Sequence, residues 1–219
     1  MSKKIAQIAQ LNDSLRTFLK NEFISSRRLV LVRSAESQGS LAGTISGWTN
    51  VKLTDYGRRQ AFQMNQVFEE HKDSFDEIHG SDLQRCIDTA FYTMGFPSQE
   101  DFLRQSRNLR EMNFGDNEGL HFDSLSREEK QEYSDLNYRA PNGESWIEVK
   151  QRMEQHFASL PVGNHLIFTH GGPITTLLLS YGVTTMPNNC SWFGVTLDDT
   201  DLSDGSVKSL EFEWHFPKE

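Results

Sequence analysis

Leu29-Val30-Leu31-Val32-Arg33-Ser34-Ala35-Glu36 is the stretch on which the fold reading turns. Four consecutive β-favouring apolar residues followed at once by a polar run predict a buried strand that ends at a loop. Open α/β sheets place their ligand sites at such strand ends. A second stretch has the same form: Leu166-Ile167-Phe168-Thr169 reads as a central strand, and His170 stands at its end. Gly171-Gly172-Pro173 then opens a helix, with the proline near its first turn.

Working outward, residues 37–50 are Gly- and Ser-rich and read as loop. Ala61, Phe62, Met64, Val67 and Phe68 give residues 55–72 a helical period. Residues 76–80 form a weaker strand, and a helix over about residues 82–94 places Arg85 in its first turn, where free amides and the helix dipole favour an anion. The start of the helix at Gly171 is a second terminus of that kind. Residues 98–140 read as a polar, charged insertion capping the cleft, with short helices over 124–133, and another helix begins at Ser145 and runs to about Leu160. Alternation predicts two late strands, Ser191 to Leu197 and Val207 to Phe216, around an acidic turn carrying Asp198, Asp199, Asp201 and Asp204. Ahead of the first strand, Ile8, Leu11, Leu15 and Phe18 or Leu19 fall at helical spacing. They make residues 1–27 an amphipathic helical extension whose apolar side either packs on its own domain or docks a protein partner.

Length and composition bound the rest. A chain of 219 residues with 36% hydrophobic and 11% aromatic residues supports one sizeable core, here assigned to residues 28–219. A formal charge of −9 without a basic stripe excludes nonspecific nucleic-acid binding. The near-apolar run from Ile174 to Val183 is too short to span a bilayer, so no transmembrane segment is expected. Cys86 and Cys190 lack metal-type spacing, which leaves reduced thiols in an intracellular compartment as the plain reading. The basic start superficially resembles an organelle-targeting peptide, but Asp13 and Glu22 lie within it and cleavage is not implied. Cytoplasm and mitochondrion both remain open. His71, His79, His121, His156, His165 and His215 show no ligand spacing, and neither a metal nor a cofactor is expected. Trp48 and Trp146 read as packing residues.

Several segments recur together in one order. They are Arg33-Ser34-Ala35-Glu36, Gly47 to Gly57, Ser81-Asp82-Leu83-Gln84-Arg85, Leu109 to Gly119, Pro141 to Ser145 and Thr169-His170-Gly171-Gly172-Pro173. In that order and spacing the chain resembles the histidine phosphatase superfamily, also called phosphoglycerate mutase-like. The resemblance implies a three-layer α/β/α sandwich around a mostly parallel sheet, with an inserted cap and, here, an extra N-terminal helix. It also implies roles: Arg33 and Arg85 bind phosphate, His170 donates to it, and Glu111 protonates the leaving oxygen.

The nucleophile of the family is the His of an Arg-His-Gly-Glu motif, and Ser34 and Ala35 stand in the places of its His and Gly. A serine hydroxyl is almost wholly protonated at neutral pH and attacks only with a positioned base. Flanking arginines depress the basicity of His170, and its family role is donation. Losing a nucleophile costs about 10⁶-fold in rate in a serine protease. The expectation is therefore a pseudoenzyme: the family activity absent, a phosphate or small phosphoester pocket with Arg33, Ser34, Arg85 and His170 retained, and a structural or regulatory place in a protein assembly. The alternatives are an active phosphatase or phosphomutase on a small phosphoester, and a sensor of a phosphorylated ligand.

Overall fold

The computed structural model describes residues 3–20, 26–96, 103–133, 135–179, 186–198 and 209–212. Its centre is a six-stranded sheet in the order β3-β2-β4-β1-β5-β6, built from β1 (Ser26–Arg33), β2 (Glu77–Ser81), β3 (Arg104–Ser106), β4 (Gly163–Thr169), β5 (Trp192–Asp198) and β6 (Ser209–Phe212). Strands β3, β2, β4 and β1 run parallel, while β5 is antiparallel to β1 and β6 antiparallel to β5. The sheet is thus mostly parallel, as the unbroken apolar runs of β1 and β4 require when both faces are covered.

Alternation along those strands sorts the core into two layers. Val30, Val32, Leu166 and Phe168 face α1 (Lys3–Lys20), α3 (Asp55–Phe68) and α4 (Gln84–Met94), meeting Leu15, Ala61, Met64 and Ala90. Leu29, Leu31 and Ile167 face α6 (Trp146–Ala158) and α7 (Gly171–Leu179), meeting Val149, Met153, Phe157 and Ile174. This is the three-layer α/β/α arrangement.

Local chemistry explains where the helices start. Ser145 accepts from Glu148 N while the Glu148 side chain returns to Ser145 N, a capping box that opens α6 one residue after the predicted start. Thr54 caps α3 through Gly57 N.

Three sequence expectations need correction. The loop over 37–50 contains a short helix, α2 (Gln38–Ala42), closed into a capping box by Ser37 and Ser40 and ended by Gly43 in the left-handed conformation at φ 66°. The segment over 98–140 is more than a cap: Arg104–Ser106 extends the sheet as edge strand β3, and only α5 (Arg127–Glu132) with short 3₁₀ turns matches the predicted helices. A 3₁₀ segment, Glu69–Ser74, replaces the last turn of the helix expected over 55–72. Of the acidic turn, Asp199, Asp201 and Asp204 lie outside the described residues, as do residues 213–216 of the last predicted strand.

Between the two fates weighed for the N-terminal helix, the structure takes the first for its apolar side. Leu11, Leu15, Phe18 and Leu19 are buried in the chain's own core, and the ring of Phe18 lies so close to Gly194 of β5 that a Cβ there would come within 2.6 Å of it. That face is therefore unavailable to a partner. The side chain of Ile8 lies outside the described set.

Candidate anion-binding site

Strands β1 and β4 are neighbours, yet the helices that follow them lie on opposite faces, α3 on one and α7 on the other. A crevice opens where adjacent parallel strands part company in this way, and it opens at their carboxyl ends. Arg33 is paired with Thr169 at that end, so Ser34 and His170 follow side by side.

All five residues singled out from the sequence meet there. Arg33, Ser34, Arg85, Glu111 and His170 line one polar cavity of about 140 Å³, together with Ser37, Ser40, Thr44, Ser46 and Asn189. Arg85, buried at 4% exposure, enters from the first turn of α4. Its Nη2 donates to Gly47 O at 2.6 Å, its Nη1 to Thr49 O at 3.1 Å and its Nε to His170 Nδ1 at 3.1 Å. Arg33 is partly buried, and its Nη1 donates to Pro187 O. Desolvation lowers the pKa of both guanidinium groups, opposed for Arg33 chiefly by Glu111 and for Arg85 by Cys86 and Glu111.

Neighbouring cations are neutralised. Arg110 makes a two-pronged pair with Asp82 at 2.5 and 2.6 Å, and Arg152 pairs with Glu144 at 2.9 Å. Among the described residues, no carboxylate forms an ion pair with Arg33 or Arg85. Two desolvated guanidinium groups line one small cavity with Glu111 as its single carboxylate and none within ion-pairing distance among the described residues, which leaves positive charge that an anion would balance.

His170 is buried, and burial, then Arg85, Arg152, Arg33 and Arg110 in turn, hold its pKa well below the ordinary histidine value. The ring is neutral. Because Nδ1 accepts from Arg85 Nε, the tautomer assigned by this network carries its proton on Nε2, making His170 a donor at that atom. Cys86 Sγ lies 3.4 Å from Nε2 and donates to Thr169 O at 3.2 Å. The thiol's pKa is pushed far up by burial, so it is a neutral packing group.

Glu111 is held on the other side. Its Oε1 accepts from Met112 N at 2.9 Å and its Oε2 from Gly172 N at 3.2 Å. The anion-ready terminus that the sequence suggested at α7 is therefore engaged by a carboxylate of the chain itself, and Gln84 N at the start of α4 is capped by Asn50 Oδ1 at 2.7 Å. That leaves the guanidinium groups of Arg33 and Arg85 and the imidazole of His170 as the basic groups lining the cavity. Gly172 is confined to glycine by contact, since a Cβ would sit 2.3 Å from Glu111 Oε1 and 2.7 Å from Trp146.

Ser34 has 6% exposure; its amide donates to Thr169 O and its carbonyl accepts from Asn189 Nδ2, both at 2.9 Å. Among the described residues, nothing hydrogen-bonds its hydroxyl. Ala35 donates from its amide to Thr89 Oγ1 at 3.0 Å, is 1% exposed, and belongs to the core cluster containing Val32, Leu53 and Ala61. The methyl thus has a core role beside its place at the cavity edge.

Sequence reasoning missed Asn189, Ser37, Ser40 and the supporting pair Glu144–Arg152, whose Arg152 also donates to Glu111 O at 2.9 Å. Nothing in their local spacing marks them. Trp48 is more than packing: its Nε1 donates to Glu111 O at 2.8 Å while Arg110 and Arg107 lie over its ring at 4.8 and 5.4 Å. Beside the polar cavity lies a larger one of about 650 Å³, which shares Arg33, Glu111 and Phe114 and is walled by Phe122, Tyr133, Trp146 and Met186. Among the described residues, no helix is long and apolar enough to cross a membrane.

Comparison with known proteins agrees with this geometry. Residues 29–209 match the model of a family described as the histidine phosphatase superfamily (branch 1). Over 166 residues the chain is 28% identical to a 2,3-bisphosphoglycerate-dependent phosphoglycerate mutase of Bartonella tribocorum, covering 70% of this chain and 81% of that protein. Over 174 residues it is 30% identical to the adenosylcobalamin/alpha-ribazole phosphatase of Escherichia coli, covering 75% and 83%. A crystal structure of phosphoglycerate mutase from Thermus thermophilus is similar with a TM-score of 0.65 at 29% identity, over 77% of this chain and 92% of that one.

Proposed function

The chain belongs to the histidine phosphatase superfamily, and from that premise we propose that it binds a small phosphoester in the Arg33–Arg85 cavity without turning it over. In this reading Arg33 and Arg85 hold the phosphoryl oxygens, His170 Nε2–H donates to them, and Glu111 keeps the family acid's place. The observation that carries it is the pair of desolvated guanidinium groups on one cavity, neither with a carboxylate partner among the described residues. The aromatic cavity alongside suits an organic group of appreciable apolar surface.

Silence of the chemistry is inferred from Ser34. Its hydroxyl lacks a positioned base: among the described residues nothing hydrogen-bonds it, the imidazole lining the cavity, His170, has its lone pair engaged by Arg85 Nε–H, and the carboxylate there, Glu111, accepts from Met112 N and Gly172 N. A carboxylate acid and a phosphate cradle lower a barrier only when some atom takes the phosphoryl group. With turnover gone, the remaining use of such a pocket is structural or regulatory, as ligand-dependent reinforcement of a protein assembly.

Three measurements test this. Hydrolysis of p-nitrophenyl phosphate by the unsubstituted chain should stay at the uncatalysed rate, and tungstate titration should show binding that weakens at least about tenfold in Arg33→Ala. Steady hydrolysis with a trapped phospho-adduct would reinstate an active phosphatase. No tungstate binding at all would leave a scaffold without a ligand. Native size measured on the chain purified from its source cell tests the assembly role, and a free monomer there would remove it.

A further inference from the structure

Four histidine and glutamate side chains that play no part in the anion cavity come together near the other end of the strands. Glu77 and His79 are on β2, two residues apart and hence on one face of the sheet, and His165 on β4 is the register partner of Glu77. His165 precedes Thr169 by four residues, which sets this cluster about 13 Å along the strand from the cavity end. The face is the one covered by α6, which contributes His156 with its ring 5.1 Å from that of His79.

The donor atoms converge. Glu77 Oε2 lies 2.9 Å from His79 Nε2 and 3.7 Å from His165 Nδ1, and the ligating atoms of the three residues all lie within 4.8 Å of one another. Donors around a tetrahedral zinc at about 2.0–2.1 Å stand roughly 3.3 Å apart, so small side-chain adjustments suffice to close on an ion. The outer contacts already have the form that orients metal ligands. His165 Nε2 hydrogen-bonds Pro161 O at 2.9 Å, fixing the proton there and leaving the Nδ1 lone pair facing the cluster. Arg104 Nη1 holds Glu77 Oε1 at 2.9 Å, leaving Oε2 toward the histidines.

Protein groups alone do not complete this arrangement. His165 is fully buried and its Nδ1 has no hydrogen-bond partner among the described residues, and the same holds for the buried Nε2 of His156. Unmade hydrogen bonds on buried rings are costly, and here one of them, on His165 Nδ1, faces the Glu77 carboxylate at 3.7 Å while the other belongs to His156, whose ring packs against that of His79.

We propose that Glu77, His79 and His165 bind a divalent transition-metal ion of the zinc type, with the neighbouring His156 a candidate for a fourth position. Two imidazoles and a carboxylate are a borderline donor set of the kind that suits zinc rather than calcium or magnesium. The ion would tie β2 to β4, and through His156 to α6, as a structural clasp separate from the anion cavity.

Zinc titration of the full chain after chelator treatment and dialysis tests this. One equivalent should bind, and the Tm should rise by about 5–10 °C at free zinc a hundredfold above Kd. Glu77→Gln, His79→Gln and His165→Gln should each weaken binding at least about tenfold, whereas exposed His121→Gln should leave it unchanged. Because a buried substitution can unfold the chain, cobalt is added to the unsubstituted protein as well. An intense visible band of a four-coordinate site is expected. Absence of stoichiometric zinc, binding equally tight in folded His79→Gln, or the pale spectrum of six-coordinate cobalt would each overturn the site.

Discussion

Replacing Ser34 with His and Ala35 with Gly tests whether this chain lacks only its nucleophile. The retained groups converge already: Arg33, Arg85, Glu111 and His170 line one cavity of about 140 Å³, several times the roughly 30 Å³ share of a water molecule. If Ser34 occupies the nucleophile's position, an imidazole there supplies the missing covalent step, worth about 10⁶ in rate or about 8 kcal/mol of barrier. An imidazole misplaced by about 1 Å forfeits about 10² of this. A gain of at least about 10³ in kcat/KM for p-nitrophenyl phosphate is therefore expected. Stability moves the other way. Ala35 is 1% exposed within a core cluster, so Ala35→Gly deletes a buried methyl at about 1 kcal/mol and adds about 0.5–1 kcal/mol of backbone entropy. At about 2–4 °C per kcal/mol for a chain of this size, the Tm should fall by about 3–8 °C. Ser34→His alone, with the methyl retained, separates crowding from chemistry. A folded double variant that binds tungstate yet shows no hydrolysis would refute the reasoning, since it would mean that the remaining groups are not positioned for phosphoryl transfer.

Further expectations concern the supports of the site and the fold. Gly172→Ala places a Cβ 2.3 Å from Glu111 Oε1, so it should displace that carboxylate and remove most activity gained by the Ser34→His/Ala35→Gly background; an unchanged rate would exclude Glu111 as the acid. Leu15→Ala empties a fully buried position between α1 and the sheet and should cost about 2–5 kcal/mol in urea unfolding. A loss below about 1 kcal/mol would show that α1 is only loosely attached in solution. His170 titrates below its ordinary value of about 6.5, so above that pH it is neutral in both folded and unfolded chains. As pH falls from 6.5, the unfolded chain takes up a proton that the folded chain refuses, and stability drops by up to about 1.4 kcal/mol per pH unit for this group until its folded pKa is reached. His170→Asn should flatten that slope between pH 6.5 and 5 in denaturant midpoints, and an unaltered slope would assign the acid sensitivity elsewhere.

Much of this molecule follows from local pattern. The apolar run ending at Arg33 and its counterpart ending at His170 specify two buried parallel strands and the end at which a ligand site opens. The Ser145 and Thr54 caps specify where α6 and α3 begin, because a cap is a contact between residues three apart. Arg33, Ser34, Arg85, Glu111 and His170 were legible as one site through the order of their motifs.

What only the tertiary structure decided are relations between residues far apart in the chain. Strand β3, three residues long, exists because an edge can pair with β2, not because its sequence demands extension. The Arg85–His170 hydrogen bond spans 85 positions and settles which nitrogen of the imidazole holds the proton. The apolar side of α1 was amphipathic on either reading, and only packing against Phe18's neighbour Gly194 settled what covers it. His79 and His165, separated in sequence by a helix, the cap region and a second helix, share one face solely through the parallel register of β2 on β4. Periodicity encodes which face a side chain takes on its own element, whereas the pairing of elements sets which distant side chains meet; a donor set assembled across strands therefore leaves no spacing to read.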